Sequence, residues 1–247
     1  MTMAIFRMKI ADCVAQVNSL FDSTPEYFRS YLTEDGADFS ITVTQAHLDF
    51  EQADSEEEAL REGFRLRRFT DPFLERAAIQ RQFAEFLLEK DTLLCHGSAI
   101  SVDGNGYLFL AKSGTGKSTH TALWQQLLGS RAVMVNDDKP FLHITSQGVW
   151  VCGSPWSGKH GRDTNIRVPL TGICLLQRGR ENRISPMEKA LLLPILRHQS
   201  YQPQDCEKQE ICNALLDSLV EQVPLWRMEC TKDPQAAQVA YDAMGKQ

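Results

Sequence analysis

The order of hydrophobic and polar residues divides the chain into a strand-rich beginning and a later part in which strands and helices intermix. Alternation over residues 39–44, and in stretches between residues 5 and 20, predicts strands. The acidic stretch of residues 51–58 has few apolar positions and predicts a loop. Asp71 and Pro72 predict the start of a helix, with aspartate as cap and proline at the first helical position. Residues 1–90 are therefore expected to form a smaller α+β region.

From residue 91 to residue 247 the pattern predicts a larger domain. Strands are predicted over residues 93–102, 107–110, 132–136, 149–152, 168–177 and 225–230. A turn at residues 103–106 is expected to join the first two as a hairpin. Helices are predicted over residues 118–128, from a capping box at residues 185–188 with an interruption near Pro194, around Ile211, Leu215 and Leu219, and over residues 234–244. Intermixed strands and helices predict an α/β fold with a mixed β-sheet.

Charge and composition narrow the kinds of partner. The net charge of −6 opposes a nucleic-acid backbone. A basic cluster, Arg65, Arg67 and Arg68, closely follows an acidic run, which indicates a solvated, self-neutralising surface. No apolar run is long enough to cross a bilayer, the first residues have no signal-peptide pattern, and the seven cysteines lack zinc-site spacing. We therefore expect a cytoplasmic protein without a nucleic-acid or membrane partner.

One glycine-rich segment carries the most specific chemistry. Residues 111–119 read Ala-Lys-Ser-Gly-Thr-Gly-Lys-Ser-Thr, between an apolar strand and an amphipathic helix, and Ala111 replaces the first glycine of the usual motif. Successive backbone N–H groups of such a loop can point at one polyphosphate, and the helix N-terminus adds positive charge. Lys117 is expected at the β- and γ-phosphates and the Ser118 hydroxyl on Mg²⁺. The predicted nucleotide-binding residues are Ser113, Gly114, Thr115, Gly116, Lys117, Ser118 and Thr119.

Two adjacent aspartates follow the next predicted strand. Asp137 and Asp138 come directly after residues 132–136, and strand ends in an open α/β sheet lie beside a phosphate loop. Neighbouring carboxylates on an extended chain point to different sides, so one can face a metal ion and the other an acceptor hydroxyl. The same composition also suits a solvated turn. The preceding phosphate loop favours the functional interpretation.

A second glycine-rich, basic loop spans residues 153–161. Lys159, Arg162 and Arg167 are candidates for neutralising a transferring phosphate or for binding an acidic acceptor. The alternative is a mobile surface loop with Trp156 as its anchor.

Together these segments resemble the HPr kinase/phosphorylase family, whose core is shared with the phosphoenolpyruvate carboxykinases. The resemblance runs over about residues 93–138 and includes His96-Gly97-Ser98, the phosphate loop and the aspartate pair, in that order. The strings at residues 113–120, 136–140 and 153–159 are similar to a subgroup that often accompanies bacterial peptide-modification systems. The implied fold is a mixed-sheet core with a phosphate loop.

The resemblance also implies ATP- and Mg²⁺-dependent phosphorylation of a serine hydroxyl. By motif position it makes Asp137 the general base and places Lys117 and His96 as catalytic residues near the phosphates. It makes Ser118 a metal ligand, and it gives Asp138 a role as a metal ligand or at the acceptor. Thr119 stands where HPr kinases carry glutamate or a related residue, and the later Arg-Gly-x-Gly signature is not present as such. HPr itself and the reverse phosphorylase reaction are therefore not implied.

The resulting expectation is a kinase that transfers the γ-phosphate of ATP to a hydroxyl of a peptide, a protein or a small molecule. The alternative is a non-catalytic ATP-binding regulatory module in a peptide-modification system, although binding alone would need no base. A carboxykinase-like lyase would be expected to have a longer chain and a set of arginines for a dicarboxylate, and the phosphate loop argues against a purely structural protein. The sequence leaves open the acceptor, the choice among ATP, GTP and pyrophosphate, and the formation of a homo-oligomer.

Overall fold

The computed structural model describes residues 3–112, 114–158 and 161–245. The chain falls into two compact units that divide between Phe86 and Leu87, near the expected boundary after residue 90. Independent folding of the two units stays a prediction. Within the described ranges, no helix has both the length and the apolar character needed to cross a membrane.

The first unit contains a three-stranded sheet and two long helices. Its elements are β1 (Ala4–Ile10), β2 (Cys13–Ser19), α1 (Thr24–Tyr27), β3 (Phe39–Thr42), α2 (Gln45–Glu62) and α3 (Asp71–Leu88), of which the last two residues belong to the second unit. β1 and β2 form an antiparallel hairpin, and β3 lies parallel to β2. Met8, Val17 and Ile41 of the sheet are buried, as are Ile79 and Phe83 of α3, so that the helix presents the apolar face its spacing predicted.

Helix α2 corrects the loop predicted at residues 51–58. The stretch is rich in glutamate, which has a favourable helix propensity, and both helix ends are defined. The backbone N–H of Thr44 donates to Nδ1 of His47 at 3.1 Å, and Gly63, with φ of 73°, ends the helix. The stretch resembled a loop because it has few apolar residues, but a surface helix needs only a narrow buried stripe.

The second unit is a mixed α/β structure built on one large sheet. Its strands are β4 (Thr92–Leu94), β5 (Ser98–Val102), β6 (Asn105–Leu110), β7 (Ala132–Asn136), β8 (Phe141–Thr145), β9 (Gly148–Cys152), β10 (Arg167–Arg178), β11 (Arg183–Pro186) and β12 (Leu225–Cys230). Its helices are α4 (Lys117–Leu128), α5 (Lys189–Gln199), α6 (Cys206–Gln222) and α7 (Gln235–Met244). The predicted α/β fold with a mixed sheet is thereby confirmed for this unit.

The strand order places the end of β10 beside the loop that follows β6. The sheet runs β4-β8-β9-β10-β6-β5-β7, and β12 pairs with both β10 and β11. β10 is parallel to β6 and to β12, whereas β4, β5, β7, β8, β9 and β11 form antiparallel pairs with their neighbours. Because Leu175 of β10 lies opposite Leu110 of β6, the last residues of β10 extend along the segment that follows β6.

Two apolar cores lie on the two faces of this sheet. Alternate residues of β6 belong to different cores, Leu108 and Leu110 to one and Tyr107 and Phe109 to the other. The first core includes α5 and α6, through residues such as Leu196 and Leu219, and the second includes α4 and α7, through Trp124 and Ala240. Burial on both faces explains why β6 reads as a nearly continuous apolar run.

The single strand predicted over residues 93–102 is in fact two strands. β4 pairs with β8, whereas β5 pairs with β6 and β7, so the chain crosses from one part of the sheet to another at residues 95–97. The backbone N–H groups of Cys95, His96 and Gly97 donate to the carbonyls of Pro140, Gln199 and Asp138, respectively. These bonds satisfy the backbone where the ladder is interrupted, and the crossing places His96 near the aspartate pair.

The helix start predicted at residues 185–188 is also wrong. β11 occupies residues 183–186 and pairs antiparallel with β12, and α5 begins only at Lys189. α5 continues through Pro194, where an interruption was expected. Pairing with the distant strand β12 outweighs the local capping signal, and a short sequence window contains no information about such pairing.

Candidate functional site

The segment between β6 and α4 turns at two glycines. Gly114 has φ of 73° and Gly116 has φ of 121°, a region of backbone space that side chains disfavour. The next residue, Lys117, begins α4, so unpaired helix amides and the positive end of the helix dipole lie at this loop. The backbone N–H of Thr115 donates to the carbonyl of Lys112 at 3.0 Å, which closes one turn of the loop. Ser113 lies outside the described residues.

A cavity of about 390 Å³ opens over this loop. It is lined by His96, Lys112, Gly114, Thr115, Gly116, Lys117, Ser118, Thr119, Asp137, Asp138 and Gly158. The structure thus brings the described part of the predicted phosphate loop together with both aspartates and with His96. Lys112 and Gly158 also line the cavity; one lies in each of the two glycine-rich segments of the sequence, but the sequence motifs assigned neither of them a role.

Lys117, His96 and Asp138 form a contact chain at the cavity wall. The Nε2 atom of His96 is 3.1 Å from Nζ of Lys117 and 3.1 Å from Oδ1 of Asp138. Burial lowers the pKa of the Lys117 ammonium, although the carboxylates of Asp138 and Asp137 act to raise it. Burial acts to raise the pKa of Asp138, but the hydrogen bond with His96 and the nearby positive charges together hold it below its usual range. The site therefore contains the ionised carboxylate of Asp138 near the partly desolvated ammonium of Lys117.

Asp137 is buried and held by side chains from two other elements. Its Oδ1 accepts a hydrogen bond from Oγ of Ser98 at 2.7 Å, and Ser98 Oγ lies 3.1 Å from Oγ1 of Thr121 on α4. The backbone N–H of Asp137 donates to the carbonyl of Arg162 at 3.1 Å. The carboxylate is thus fixed at the strand end by β5 and α4, and its neighbour Asp138 is fixed separately by His96.

Asn136 makes the turn that separates the two carboxylates. Its Oδ1 accepts from the backbone N–H groups of Asp138 and Lys139 at 2.7 and 2.6 Å. Its Nδ2 donates to the carbonyl of Ser154 at 2.7 Å. A side chain that bonds to its own chain two and three residues later forms a tight turn, so Asn136 stabilises the turn at the end of β7. The sequence identified this residue only as part of a turn composition.

Arg178, the last residue of β10, contacts the loop from the neighbouring strand. Its Nη2 donates to the carbonyl of Gly114 at 2.6 Å. A peptide plane holds its C=O and the following N–H in opposite directions, so a bond to the Gly114 carbonyl fixes the orientation of the peptide between Gly114 and Thr115. No local motif marks Arg178, and only the parallel pairing of β10 with β6 brings it to the loop.

The basic residues of the second glycine-rich loop lie in different places. Arg162 is exposed and its carbonyl supports Asp137, as described above. The guanidinium of Arg167 lies 4.7 Å from the centre of the Trp150 ring, and neither arginine lines the cavity. Lys159 lies outside the described residues. The structure therefore brings neither described arginine to the phosphate loop.

The residues at the cavity suit a hard metal ion whose ligands would come partly from the protein and partly from a phosphate. The Ser118 hydroxyl and the Asp138 carboxylate line the same cavity and supply the oxygen donors that Mg²⁺ prefers. Within residues 3–112, 114–158 and 161–245, no group of three or more His, Cys, Asp or Glu side chains could hold a metal ion. The oxygens of Ser118 and Asp138 fit Mg²⁺ that would be held by one or two protein oxygens together with substrate phosphates.

Comparisons with known proteins add a distant likeness of fold. No protein-family model matches the chain, and no curated protein matches it. Among solved structures, the chain is similar to the HPr(Ser) kinase/phosphatase from Coxiella burnetii, at 12% identity and a TM-score of 0.37, over 62% of this chain and 91% of that chain. At these values the likeness carries no argument about activity or site residues, so the functional interpretation rests on the site geometry.

Proposed function

We propose that the protein is a kinase that transfers the γ-phosphate of ATP, with Mg²⁺, to a hydroxyl of a peptide, a protein or a small molecule. One observation supports this proposal above all: Lys117, Asp137 and Asp138 line a single cavity at the N-terminus of α4. A cavity that only held a nucleotide would need the loop and the lysine, but no buried carboxylate placed to take a proton. A serine hydroxyl is the acceptor that the sequence resemblance favours.

Each group has a separate task in the proposed reaction. The loop amides and the Lys117 ammonium hold the β- and γ-phosphates. Ser118 and Asp138 would hold Mg²⁺, which would neutralise charge on the phosphate oxygens. Asp137 accepts the proton of the acceptor hydroxyl. At the same time the hydroxyl oxygen forms a bond to the γ-phosphorus, and the bond between the γ-phosphorus and the bridging oxygen of ADP breaks. Nε2 of His96 contacts both Lys117 and Asp138, and it orients Asp138 when it carries hydrogen and Lys117 when it does not.

The loop that follows β9 is the acceptor side of the proposed site. Gly158 of this loop lines the cavity, and Ser157 Oγ donates to Oδ2 of Asp163 at 2.5 Å across the loop. Lys159 and Arg162 are the cations of this segment that we assign to an acidic acceptor. Arg167 is not included in this role because its guanidinium packs on Trp150.

A near-isosteric change of the proposed base tests the reaction. Asp137→Asn removes the proton acceptor and keeps the shape, so transfer from γ-labelled ATP to serine-containing peptides or free L-serine should fall by about 10²–10⁴-fold. Binding of Mg·ATP should stay within a few-fold of the wild type. Asp217→Asn, an exposed position on α6, is the matched control and should leave both unchanged.

The same experiment separates the kinase from a non-catalytic ATP-binding module. Transfer at the wild-type rate by Asp137→Asn contradicts the assignment of the base. Binding of Mg·ATP by the wild type without transfer to any peptide, to L-serine or to water contradicts the kinase and favours the regulatory module.

A further inference from the structure

Ser98 is a fully buried hydroxyl beside the proposed base. It is the first residue of β5, its exposure is 0%, and its Oγ lies 2.7 Å from Oδ1 of Asp137. Thr121, on α4, is equally buried, and its Oγ1 lies 3.1 Å from Ser98 Oγ. Burying a hydroxyl costs free energy unless the hydroxyl is hydrogen-bonded. Ser98 and Thr121 form hydrogen bonds with each other, and Ser98 also bonds to the carboxylate of Asp137.

The direction of these hydrogen bonds follows from the number of hydrogen atoms. An ionised carboxylate only accepts, so Ser98 gives its one hydrogen to Asp137. Towards Thr121, Ser98 can then only accept, and Thr121 donates. Thr121 Oγ1 also lies 3.3 Å from the carbonyls of Lys117 and Ser118 in the first turn of α4. The one hydrogen of Thr121 cannot serve Ser98 and these carbonyls at the same time, so Thr121 is joined to the turn that carries Lys117 through helix α4, on which both lie. The contact between Ser98 and Thr121 therefore joins α4 to the carboxylate of Asp137.

We propose that Ser98 and Thr121 are positioning residues that hold Oδ1 of Asp137, so that Oδ2 accepts the proton of the acceptor hydroxyl. This inference rests on the proposed kinase function. The contact between Ser98 and Thr121 fixes the distance between the base and the helix turn at which the γ-phosphate would bind. Because a displacement of about 1 Å can cost about 10²-fold in rate, loss of this link should affect turnover more than nucleotide binding.

The first test separates turnover from binding in the full chain. Ser98→Ala and Thr121→Val each remove one hydroxyl. Each variant should lower the rate of phosphate transfer from Mg·ATP to L-serine, or to water when L-serine is absent. The loss should be about 10–100-fold for Ser98→Ala and smaller for Thr121→Val. The KM for Mg·ATP should change less than about threefold, as expected when only a transition-state interaction is lost. Ser101→Ala, another buried serine of β5, is the matched control and should keep the wild-type rate.

A double-mutant cycle shows whether Ser98 acts through Asp137. In an Asp137→Asn background, Ser98→Ala should cost no further rate, because the group that it positions is gone. A rise in KM alone, or the same loss of rate in the Asp137→Asn background as in the wild type, would overturn the inference.

Unfolding measurements separate failure of this inference from failure of the proposed function. The changes in urea midpoint caused by Ser98→Ala, Asp137→Ala and the double variant should not be additive, because each single variant removes the one hydrogen bond that the two side chains share. Additive midpoints overturn the inference by themselves, whatever the activity. A wild type that transfers phosphate neither to L-serine nor to water overturns the proposed function, and with it the role of Ser98 in proton transfer.

Discussion

His96 has one ring nitrogen that contacts two partners. Its Nε2 lies at hydrogen-bonding distance from both Lys117 and Asp138. A ring nitrogen that carries hydrogen donates to the carboxylate, whereas one without hydrogen accepts from the ammonium. Nε2 of His96 therefore forms a hydrogen bond with only one of the two partners at a time. When the oxygens of a triphosphate attract Lys117, His96 would be left to donate to Asp138.

Arg178 gives a prediction for a residue outside the sequence motif. Arg178→Gln removes the guanidinium that bonds the Gly114 carbonyl, so the loop should lose part of its fixed shape. Mg·ATP binding measured by calorimetry should weaken about 3- to 10-fold, which corresponds to one hydrogen bond of about 1 kcal/mol. Arg183→Gln, at an exposed arginine whose Nη2 lies 3.8 Å from Oε2 of Glu181, should bind like the wild type. Equal affinities of Arg178→Gln and the wild type would refute a role for Arg178 in shaping the loop.

At the residue scale, the sequence predicted the groups whose spacing is local. Lys117 and Ser118 follow glycines in one loop, and Asp137 and Asp138 directly follow one strand, so a short window contains the signal. Arg178 and Ser98 could not be found this way. Their contacts depend on the register of β10 against β6 and of β5 against β7, which brings together residues far apart in the chain.

At the element scale, the strongest predictions were strands with buried apolar runs. β7 and β12 have the bounds expected from their sequence, and α3 begins at Asp71, one residue before the first helical position that the cap signal indicated. The crossing at residues 95–97 was missed because the apolar pattern of the sequence continues from β4 into β5. The two strands nevertheless pair with different neighbours. Hydrophobicity records burial, whereas the identity of the pairing strand is a tertiary property.

Gly158 gives a prediction for the loop that follows β9. A Cβ at this position would lie 3.2 Å from Cβ of Asp138, whereas one at Gly161 would meet nothing within 4 Å. Both glycines have positive φ, so Gly158→Ala and Gly161→Ala should lose similar stability, about 1 kcal/mol each in urea unfolding. Only Gly158→Ala also presses on the proposed metal ligand.

The metal requirement distinguishes these two variants. We expect Gly158→Ala to need about 10-fold more Mg²⁺ for half-maximal phosphate transfer, as found when the support of a metal ligand is disturbed. Gly161→Ala should keep the Mg²⁺ requirement of the wild type. The same requirement in both variants would contradict the placement of Asp138 at the metal.

At the scale of the whole molecule, the mixed sheet was predictable but its strand order was not. Intermixed strand and helix patterns indicate an α/β fold whatever the order of the strands. The order β4-β8-β9-β10-β6-β5-β7 joins segments from distant parts of the chain. β10 pairs with β9 and β12 in succession along one edge, and its twelve residues of mostly apolar sequence give no sign of that exchange of partners.

His120 links the stability of the molecule to pH. It is buried, its Nε2 accepts from the indole N–H of Trp124 at 3.1 Å, and burial lowers its pKa from 6.5 to about 4. Between these values the unfolded chain binds more protons than the folded chain, so stability falls as the pH is lowered through this window. The loss from this group should reach about 3 kcal/mol at most.

The measurement is urea unfolding at pH 7 and at pH 5. His120→Gln keeps an acceptor for Trp124 but cannot titrate, so its stability should fall less between these pH values than that of the wild type. His198→Gln, at an exposed position of α5, should retain the wild-type dependence. An identical pH dependence for His120→Gln and the wild type would rule out His120 as the source.

The most direct test of the proposed site is a calorimetric titration of Mg·ATP into the full chain and into Lys117→Met. We expect saturable one-to-one binding by the wild type. The affinity should drop about 10- to 100-fold in Lys117→Met, which removes the charge-assisted bonds to the phosphates. No binding by the wild type, or equal binding by the wild type and Lys117→Met, would contradict the assignment of this cavity to a nucleoside triphosphate.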